Sequence, residues 1–441
     1  MQPIVKAITT VPETAKQVAE TQKWYWVEAS VWTDRMLAAL DNGVKGGRWY
    51  SLMDKVYASQ TLWEAWLKVA SNGGAAGVDR MSIQRFEAKA GQYLRELETA
   101  LREGTFQPES VRRVYIPKGP GQTRPLGIPT VKDRIVQTAM KMVMEPIFEQ
   151  EFLPMSYGFR PGRGCKDALR EVDQLLKAGY NWVVDADLKS YFDSIPHALL
   201  IDRVKEKISD GRILKLLESF IEQDIMDGLE RWKPVAGSPQ GAVVSPLLSN
   251  LYLHPFDRLM TESGYKIVRY ADDFVILCRS KEEAEIALGQ VRAWTKENGL
   301  HLHPDKTHLG NCLEDGQGFD FLGYHFETGR RTVRNKSLMA LKDRIRQRTK
   351  RTCGGSLDEI IKDLNPILRG WFAYFKHAHW WTFRNIDGFV RRRLRAVFRK
   401  RRKKPGQGHC HADHRRWPNA FFAERGLFTM HEALFAARQS R

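Results

Sequence analysis

Long apolar runs are missing from this 441-residue chain. Stretches such as Phe274–Cys278 are far too short to cross a bilayer, so no membrane partner is expected. The N-terminal MQPIVKAITTVPETAKQ lacks the apolar core of a secretory signal. Cysteine is scarce: Cys165, Cys278, Cys312, Cys353 and Cys410 stand singly, with no C-x-x-C pair. That pattern argues against a disulfide frame or a cysteine-rich zinc module and suits a reducing, intracellular compartment. A phosphate-binding G-x-x-x-x-G-K-[ST] loop, a dinucleotide fingerprint, a Ser/His/Asp arrangement and an internal repeat are absent too. With 42% hydrophobic and 28% charged residues, the chain is neither membrane-embedded nor disordered, and its length suits about two or three domains.

What is present is positive charge, unevenly spread. Lys and Arg number 70 against 52 acids, a formal net charge of +18. Between Arg331 and Lys404 there are 23 Lys and Arg against five acids, and 23 minus 5 is again +18. The whole excess therefore lies in one stretch, appended to a near-neutral body. A solvated basic face is the bland account; a surface for nucleic-acid backbone explains the concentration better.

Six of the 13 tryptophans precede residue 70, too much apolar surface for a loose tail, so helices docked on the body are expected there. NGGAAGVD (Asn72–Asp79) reads as a glycine-rich break after a helix. RRVYIPK, GPGQT and RPLGIP, between Arg112 and Pro129, read as a β-hairpin carrying cations. Residues 133–150 have helical periodicity, and YGFRPGRG (Tyr157–Gly164) a loop composition. NWVVDADL (Asn181–Leu188) reads as a central strand ending in acid, IVRYADDFVIL (Ile267–Leu277) as a tight hairpin, and FDFLGYHF (Phe319–Phe326) as another strand pair. Beyond Arg331 the chain reads as helical, with Gly354–Gly355 and Pro366 as breaks.

The chemistry centres on Tyr270-Ala271-Asp272-Asp273. Adjacent carboxylates on a hairpin anchored by apolar strands repel each other, and divalent metal resolves that conflict. A solvated turn is the alternative for such a tetrapeptide alone. In VVDADLKSYFD, strand alternation puts Asp185 and Asp187 on one face, followed by Tyr191–Phe192 and Asp193. Two rigid strand ends bearing carboxylates are suited to a pair of Mg²⁺ ions about 3.5–4 Å apart, for attack of a 3′-hydroxyl on an α-phosphate. Oxygen-only ligands favour Mg²⁺ over zinc. Lys118 and Arg124, flanking the turn in PKGPGQTR, are placed to reach triphosphate oxygens.

The ordered set RRVYIPK…RPLGIP, SYGFRPGRG, VVDADLKSYFD, SPQGAVVSPLLSN, YADD, HPDKT and FDFLGY resembles the successive blocks of reverse transcriptases, from about Lys55 to Phe326. In particular it looks like the proteins encoded by bacterial group II introns, and NGGAAGVD resembles the extra N-terminal block of group II and non-LTR retroelement enzymes. The resemblance implies an α+β right-hand polymerase, with fingers and palm built on an antiparallel sheet and an α-helical thumb or maturase domain after them. The implied boundaries are 1–54 for an N-terminal helical extension, 55–328 for fingers and palm, 329–404 for the thumb and 405–441 for a short basic, DNA-binding-like tail.

Residue by residue, the resemblance implies Asp187, Asp272 and Asp273 as catalytic acids, and Asp187, Leu188, Asp272 and Asp273 as the metal set. Phe192, five residues after Asp187, stands where the family places the aromatic that rejects a ribose 2′-hydroxyl. Lys118, Arg124, Gln240 and Lys306 complete the dNTP site, and Lys306 is the implied proton donor to pyrophosphate. Phe321, Leu322, Gly323 and Tyr324 form the implied primer grip. Ala242 and Val243 depart from many relatives, a difference expected to tune the pocket. Aromatics in GWFAYFKHAHWW (Gly370–Trp381) are expected to pack helices. In the run that follows, Arg391, Arg392, Arg393, Arg395, Lys400 and Arg401 are expected to meet RNA phosphates.

The expected function is RNA-templated addition of dNTPs to a primer with two Mg²⁺ ions, joined to a maturase role. The expected partners are the group II intron RNA, as a ribonucleoprotein, an RNA template with its DNA primer, and target DNA. The bacterial cytoplasm is the expected location, with nucleoid association when DNA is engaged. His409, Cys410, His411 and His414 are too crowded for a zinc site, so no zinc is expected and the tail reads as a solvated linker. No HNH nuclease, and hence no second-strand nicking, is expected. Two alternatives stand beside this reading: a domesticated reverse transcriptase in DNA repair or phage defence, and an RNA-binding maturase without polymerase activity.

Overall fold

The computed structural model describes residues 23–439 apart from 120, 229, 235, 238–240 and 305 and the side chains of 118, 119 and 122. The chain divides into two compact units. The first holds the described residues of Met1–Glu171, Ala186–Phe274 and Ala287–Lys306; the second holds those of Val172–Asp185, Val275–Ile286 and Thr307–Arg441. Helices and partly antiparallel sheets combine as the α+β reading requires.

In the first unit, the expected anchoring of the tryptophan-rich segment is met by Trp32, 1% exposed, whose indole N–H donates to the Met142 carbonyl at 3.0 Å. Asp210 caps the helix Gly211–Ile221 and also accepts the Leu52 and Met53 N–H groups at 2.7 and 2.9 Å. The helix Ser59–Asn72 ends at Gly73, at the start of the glycine-rich break. The cationic hairpin forms as read: β1 (Val111–Gly119) pairs antiparallel with β2 (Gln122–Ile128), setting Ile116 opposite Arg124. Strands β4 (Ile225–Asp227) and β5 (Glu230–Trp232) extend this sheet in the order β2–β1–β4–β5, with β4 parallel to β1. Thr130 caps the helix Val131–Glu149 by accepting the Asp133 N–H, and that helix buries Ile135, Val136, Met140, Val143 and Ile147.

The acid-ended strand is β3 (Trp182–Asp187), and the YADD hairpin is β6 (Lys266–Tyr270) and β7 (Asp273–Cys278). With β8 (His308–Asn311) they make a four-stranded sheet in the order β6–β7–β3–β8. Residues Val275–Cys278 are buried without exception, which fixes the hairpin's apolar strands as core.

In the second unit, β9 (Phe319–Phe321), β10 (Tyr324–Glu327) and β11 (Arg330–Val333) form an antiparallel meander, with Phe319 stacked on Phe326 at 5.0 Å. The helices Asn335–Arg348, Leu357–Phe375 and Trp380–Arg401 follow. Gly354–Gly355 does separate two of them, and Ser356 with Glu359 forms a capping box just beyond. Pro366 breaks nothing: it lies inside Leu357–Phe375, a helix held by buried Ile361, Leu364, Leu368 and Phe372. That packing outweighs the roughly 3 kcal/mol an interior proline costs.

The segment after Lys404 is no solvated linker either. It forms the helices His411–Arg416, Asn419–Glu424 and Met430–Gln439 and buries Trp417, Phe422, Leu427, Met430 and Leu434. Gly408 (φ 78°) lies so close to the helix Trp380–Arg401 that a β-carbon there would sit 2.8 Å from the Ala396 nitrogen.

Candidate active site

Asp187 closes β3, and the chain just beyond it is fixed from the side. The His303 N–H donates to the Asp187 carbonyl and the Lys189 N–H to the His301 carbonyl, both at 2.8 Å, while Leu188 bridges Leu302. Asp272 sits in the two-residue turn between β6 and β7, where Ala271 takes the left-handed conformation (φ 60°). Burial pushes the Asp272 carboxyl above its usual range, opposed by a hydrogen bond to its own backbone. The negative charge of Asp187 raises it further, and the positive charges of Arg124 and Arg269 oppose the rise. The two acids therefore feel each other, and a cation between them would relieve the repulsion.

Among the described residues, no three His, Cys, Asp or Glu side chains form a ready metal cluster. A metal here would draw on two or three carboxylates and on backbone oxygen. Leu188, 4% exposed, has only its carbonyl to offer. This all-oxygen set fits a hard divalent cation. Asp187 is 40% exposed, and its Oδ2 meets the Lys306 ammonium at 2.5 Å. Lys306 thus lies against Asp187. Asp273 opens β7 and is half-buried.

What holds the turn was missed in the sequence. Arg269, fully buried, donates Nε and Nη2 to the two Asp257 carboxylate oxygens at 2.7 and 2.5 Å. Its Nη1 donates to the Asn250 Oδ1 at 3.0 Å and the Ala271 carbonyl at 2.8 Å, and Nη2 also donates to the Ser156 hydroxyl at 2.7 Å. The Asn250 amide in turn donates to the Gly158 carbonyl at 2.8 Å. Gly158 has no room for a side chain, since a β-carbon would stand 2.2 Å from the Ala271 nitrogen. The YGFRPGRG loop and the YADD turn are thereby locked together. The only sequence signal was a lone arginine within an apolar strand, KIVRY.

The Arg124 charge acts on both Asp272 and Asp193. The Lys118 side chain and the whole of Gln240 lie outside the described residues. The flanks of the Gln240 loop are pinned: the Gly237 N–H donates to the Ile195 carbonyl and the Val243 N–H to the Gln137 Oε1. Phe192 is half-buried on the helical turn Tyr191–Ser194. Beneath it, buried Tyr191 donates its hydroxyl to the Ser249 carbonyl at 2.9 Å and meets the Phe192 ring edge-on at 5.3 Å.

In the second unit, Phe321 and Tyr324 are buried, so the implied grip would present backbone and Leu322 at its tip. Leu322 and Gly323 both have positive φ, and the Tyr374 hydroxyl donates to the Leu322 carbonyl at 2.8 Å. The arginine run divides. Arg395 is 2% exposed and donates to the Trp417 carbonyl and Asn419 side chain, so it holds the tail and does not face RNA. Arg393 donates to the Thr349 hydroxyl and carbonyl. Arg391 and Arg392 are partly buried, while Lys400 and Arg401 are exposed, Arg401 donating to the Gly355 carbonyl. Helical periodicity decides this: the apolar stripe of Ile386, Val390, Leu394 and Val397 carries Arg395 inward with it.

The family pattern "Reverse transcriptase (RNA-dependent DNA polymerase)" matches residues 116–326, and "Group II intron, maturase-specific domain" matches residues 338–417. Protein YkfC of Escherichia coli (strain K12) is 36% identical over 355 residues, covering 70% of this chain and 91% of YkfC. This chain belongs to the group II intron reverse transcriptases. The group II intron-encoded protein LtrA of Lactococcus lactis subsp. cremoris is 37% identical over 177 residues, 40% of this chain but 29% of LtrA. A 91 kDa protein in a cob intron of Schizosaccharomyces pombe is 28% identical over 365 residues, 64% of this chain and 45% of that protein.

A reverse transcriptase is an RNA-directed DNA polymerase and depends on divalent metal; a maturase domain binds RNA. The maturase match runs past Lys404 through the helix His411–Arg416, consistent with the packing of that segment by Arg395. Among the described residues, no helix is long and apolar enough to cross a membrane.

Proposed function

We propose that this group II intron reverse transcriptase extends a DNA primer on an RNA template, using two Mg²⁺ ions held by Asp187, Asp272, Asp273 and the Leu188 carbonyl. The observation that carries the reading is geometric: Asp187 ends β3, the strand beside β7, Asp272 sits in the turn that leads into β7, and the Lys306 ammonium is already drawn to the Asp187 carboxylate. Bound Mg²⁺ would activate the primer 3′-hydroxyl and offset charge on the departing pyrophosphate. The chain's own groups do the rest. Arg124 and Lys118 are assigned to the triphosphate and Gln240 to the incoming nucleotide. The Phe192 ring excludes a ribose 2′-hydroxyl, and Lys306 delivers a proton to pyrophosphate.

The basic helices, through Arg391, Arg392, Lys400 and Arg401 together with the N-terminal segment, bind the host intron RNA and assist its splicing and mobility, while the Leu322–Gly323 tip grips the primer. On this reading residues 55–328 serve as fingers and palm and 329–404 as thumb. The test is extension of a DNA primer on an RNA template with Mg²⁺ and the four dNTPs. Extension is expected; a folded protein that binds the RNA yet never extends the primer would leave maturase activity alone.

A further inference from the structure

Phe192, the ring assigned to sugar selection, sits on the helical turn Tyr191–Ser194, entered through left-handed Ser190 (φ 49°). Four helical residues do not hold their shape alone, so the ring's position depends on what backs the turn. Tyr191 anchors it to the Ser249 carbonyl. A second support is Gly237, a buried residue with φ 97°. Gly237 lies so close that a β-carbon there would stand 2.8 Å from both the Phe192 carbonyl oxygen and the Asp193 α-carbon. Both of its backbone polar groups are held. The Gly237 N–H donates to the Ile195 carbonyl at 2.8 Å, and its carbonyl meets the Nε2 of half-buried His197 at 2.6 Å. A carbonyl only accepts, so the hydrogen is on Nε2 and the imidazole donates. His197 opens the helix His197–Lys205 directly after Pro196. That corner is seated in turn by Gly299 (φ 67°), where a β-carbon would stand 2.7 Å from the Pro196 Cγ.

We propose that His197 is a positioning residue for sugar selection: by holding Gly237 against the Tyr191–Ser194 turn, it fixes how far the Phe192 ring reaches toward the incoming sugar. A ring that rejects a 2′-hydroxyl by contact discriminates only while its backbone cannot retreat. Without the imidazole's hydrogen bond Gly237 is free to move off, and the turn can follow it. A deoxynucleotide, lacking that hydroxyl, is accommodated either way. The loss therefore falls on discrimination and not on turnover. This inference rests on the proposed gating role of Phe192, and the experiment separates the two.

Incorporation of one dNTP and of the matching rNTP is measured for wild type, His197→Leu, His197→Asn and His197→Gln, each with and without Phe192→Ala. Glutamine carries its amide nitrogen about as far out as Nε2 and can donate to Gly237; asparagine stays polar but falls short, and leucine cannot donate. Melting curves check the fold, and asparagine reads the same loss should leucine unfold the chain. The expected result is rNTP use relative to dNTP raised roughly 3- to 10-fold in the leucine and asparagine variants, the effect of one hydrogen bond. Their dNTP kcat, and the selectivity of the glutamine variant, should stay within about twofold of wild type. In the Phe192→Ala background, loss of the imidazole should change selectivity by less than about twofold, because both residues act through one ring. Three results would each overturn the assignment: unchanged selectivity in the leucine and asparagine variants, a loss that glutamine does not restore, or a full effect that persists without the Phe192 ring. Unchanged selectivity in Phe192→Ala alone would instead sink the gating role of Phe192.

Discussion

Replacing Arg269 with methionine removes five hydrogen bonds at once and strands the Asp257 carboxylate, 0% exposed, in the core. Breaking a buried ion pair from one side costs about 3–5 kcal/mol, because the remaining charge has neither partner nor water. Against a total stability of about 5–15 kcal/mol, that is a large fraction, readable as a lower midpoint in urea unfolding. The second variant is the informative one. Arg269→Met combined with Asp257→Leu removes the stranded charge, and well-packed apolar replacements for buried pairs are often neutral or better. Stability should return in part, since the buried Asn250, Ser156 and Ala271 oxygens still lack their donor.

Primer extension should not return with it, because nothing then supports the Ala271 carbonyl and the left-handed turn that sets Asp272. A displacement of about 1 Å at a reacting centre costs on the order of a hundredfold in rate. Single-turnover incorporation of one dNTP by the refolded double variant measures that cost. A single variant as stable as wild type, or a double variant extending at the wild-type rate, would refute the assignment of Arg269 as the turn's support.

Two further outcomes follow from the same packing. Burial, set against hydrogen bonds from Thr130 and the Glu109 backbone, pushes the Asp133 carboxyl up to about 7, well above its unfolded value of 3.8. The folded state thus favours the protonated acid. Its contribution is complete below about pH 4 and is lost as pH rises through 7, on the order of 4 kcal/mol in all. Urea midpoints between pH 4 and pH 8 should fall accordingly in wild type and stay flatter in Asp133→Asn; identical slopes in both would contradict it. Phe192→Ala should raise ribonucleotide use relative to dNTPs roughly 10- to 200-fold in competition assays, and unchanged selectivity would remove the ring from its gating role.

Much of this was legible in the sequence because it rests on short-range patterns. β-Branched alternation ending in acid gave β3, two apolar runs about a polar pair gave the YADD hairpin, and Gly-Pro between strand patterns gave β1–β2. The supports of the site were not legible. Asp257 lies on a helix and Arg269 on a strand, and no local period ties them; only the fold brings their charges together. Pro366 misled because tertiary packing outweighs a propensity. The tail's packing was not legible because Trp417, Phe422, Leu427, Met430 and Leu434 are spaced irregularly among many charges. Arg395 was hidden likewise: a run of arginines reads as one surface, while the helix turns each member to a different face.

The central claim is that Asp272 holds metal for nucleotide transfer, and its most direct test is a rapid-quench measurement of one dNTP added to a DNA primer on an RNA template. Wild type is compared with Asp272→Asn, which keeps the shape and removes the charge. Because burial raises the Asp272 pKa, the asparagine variant should also melt no lower than wild type at neutral pH, so any lost rate is not lost fold. The account predicts that incorporation falls on the order of a thousandfold or more. Incorporation by folded Asp272→Asn at close to the wild-type rate would contradict it.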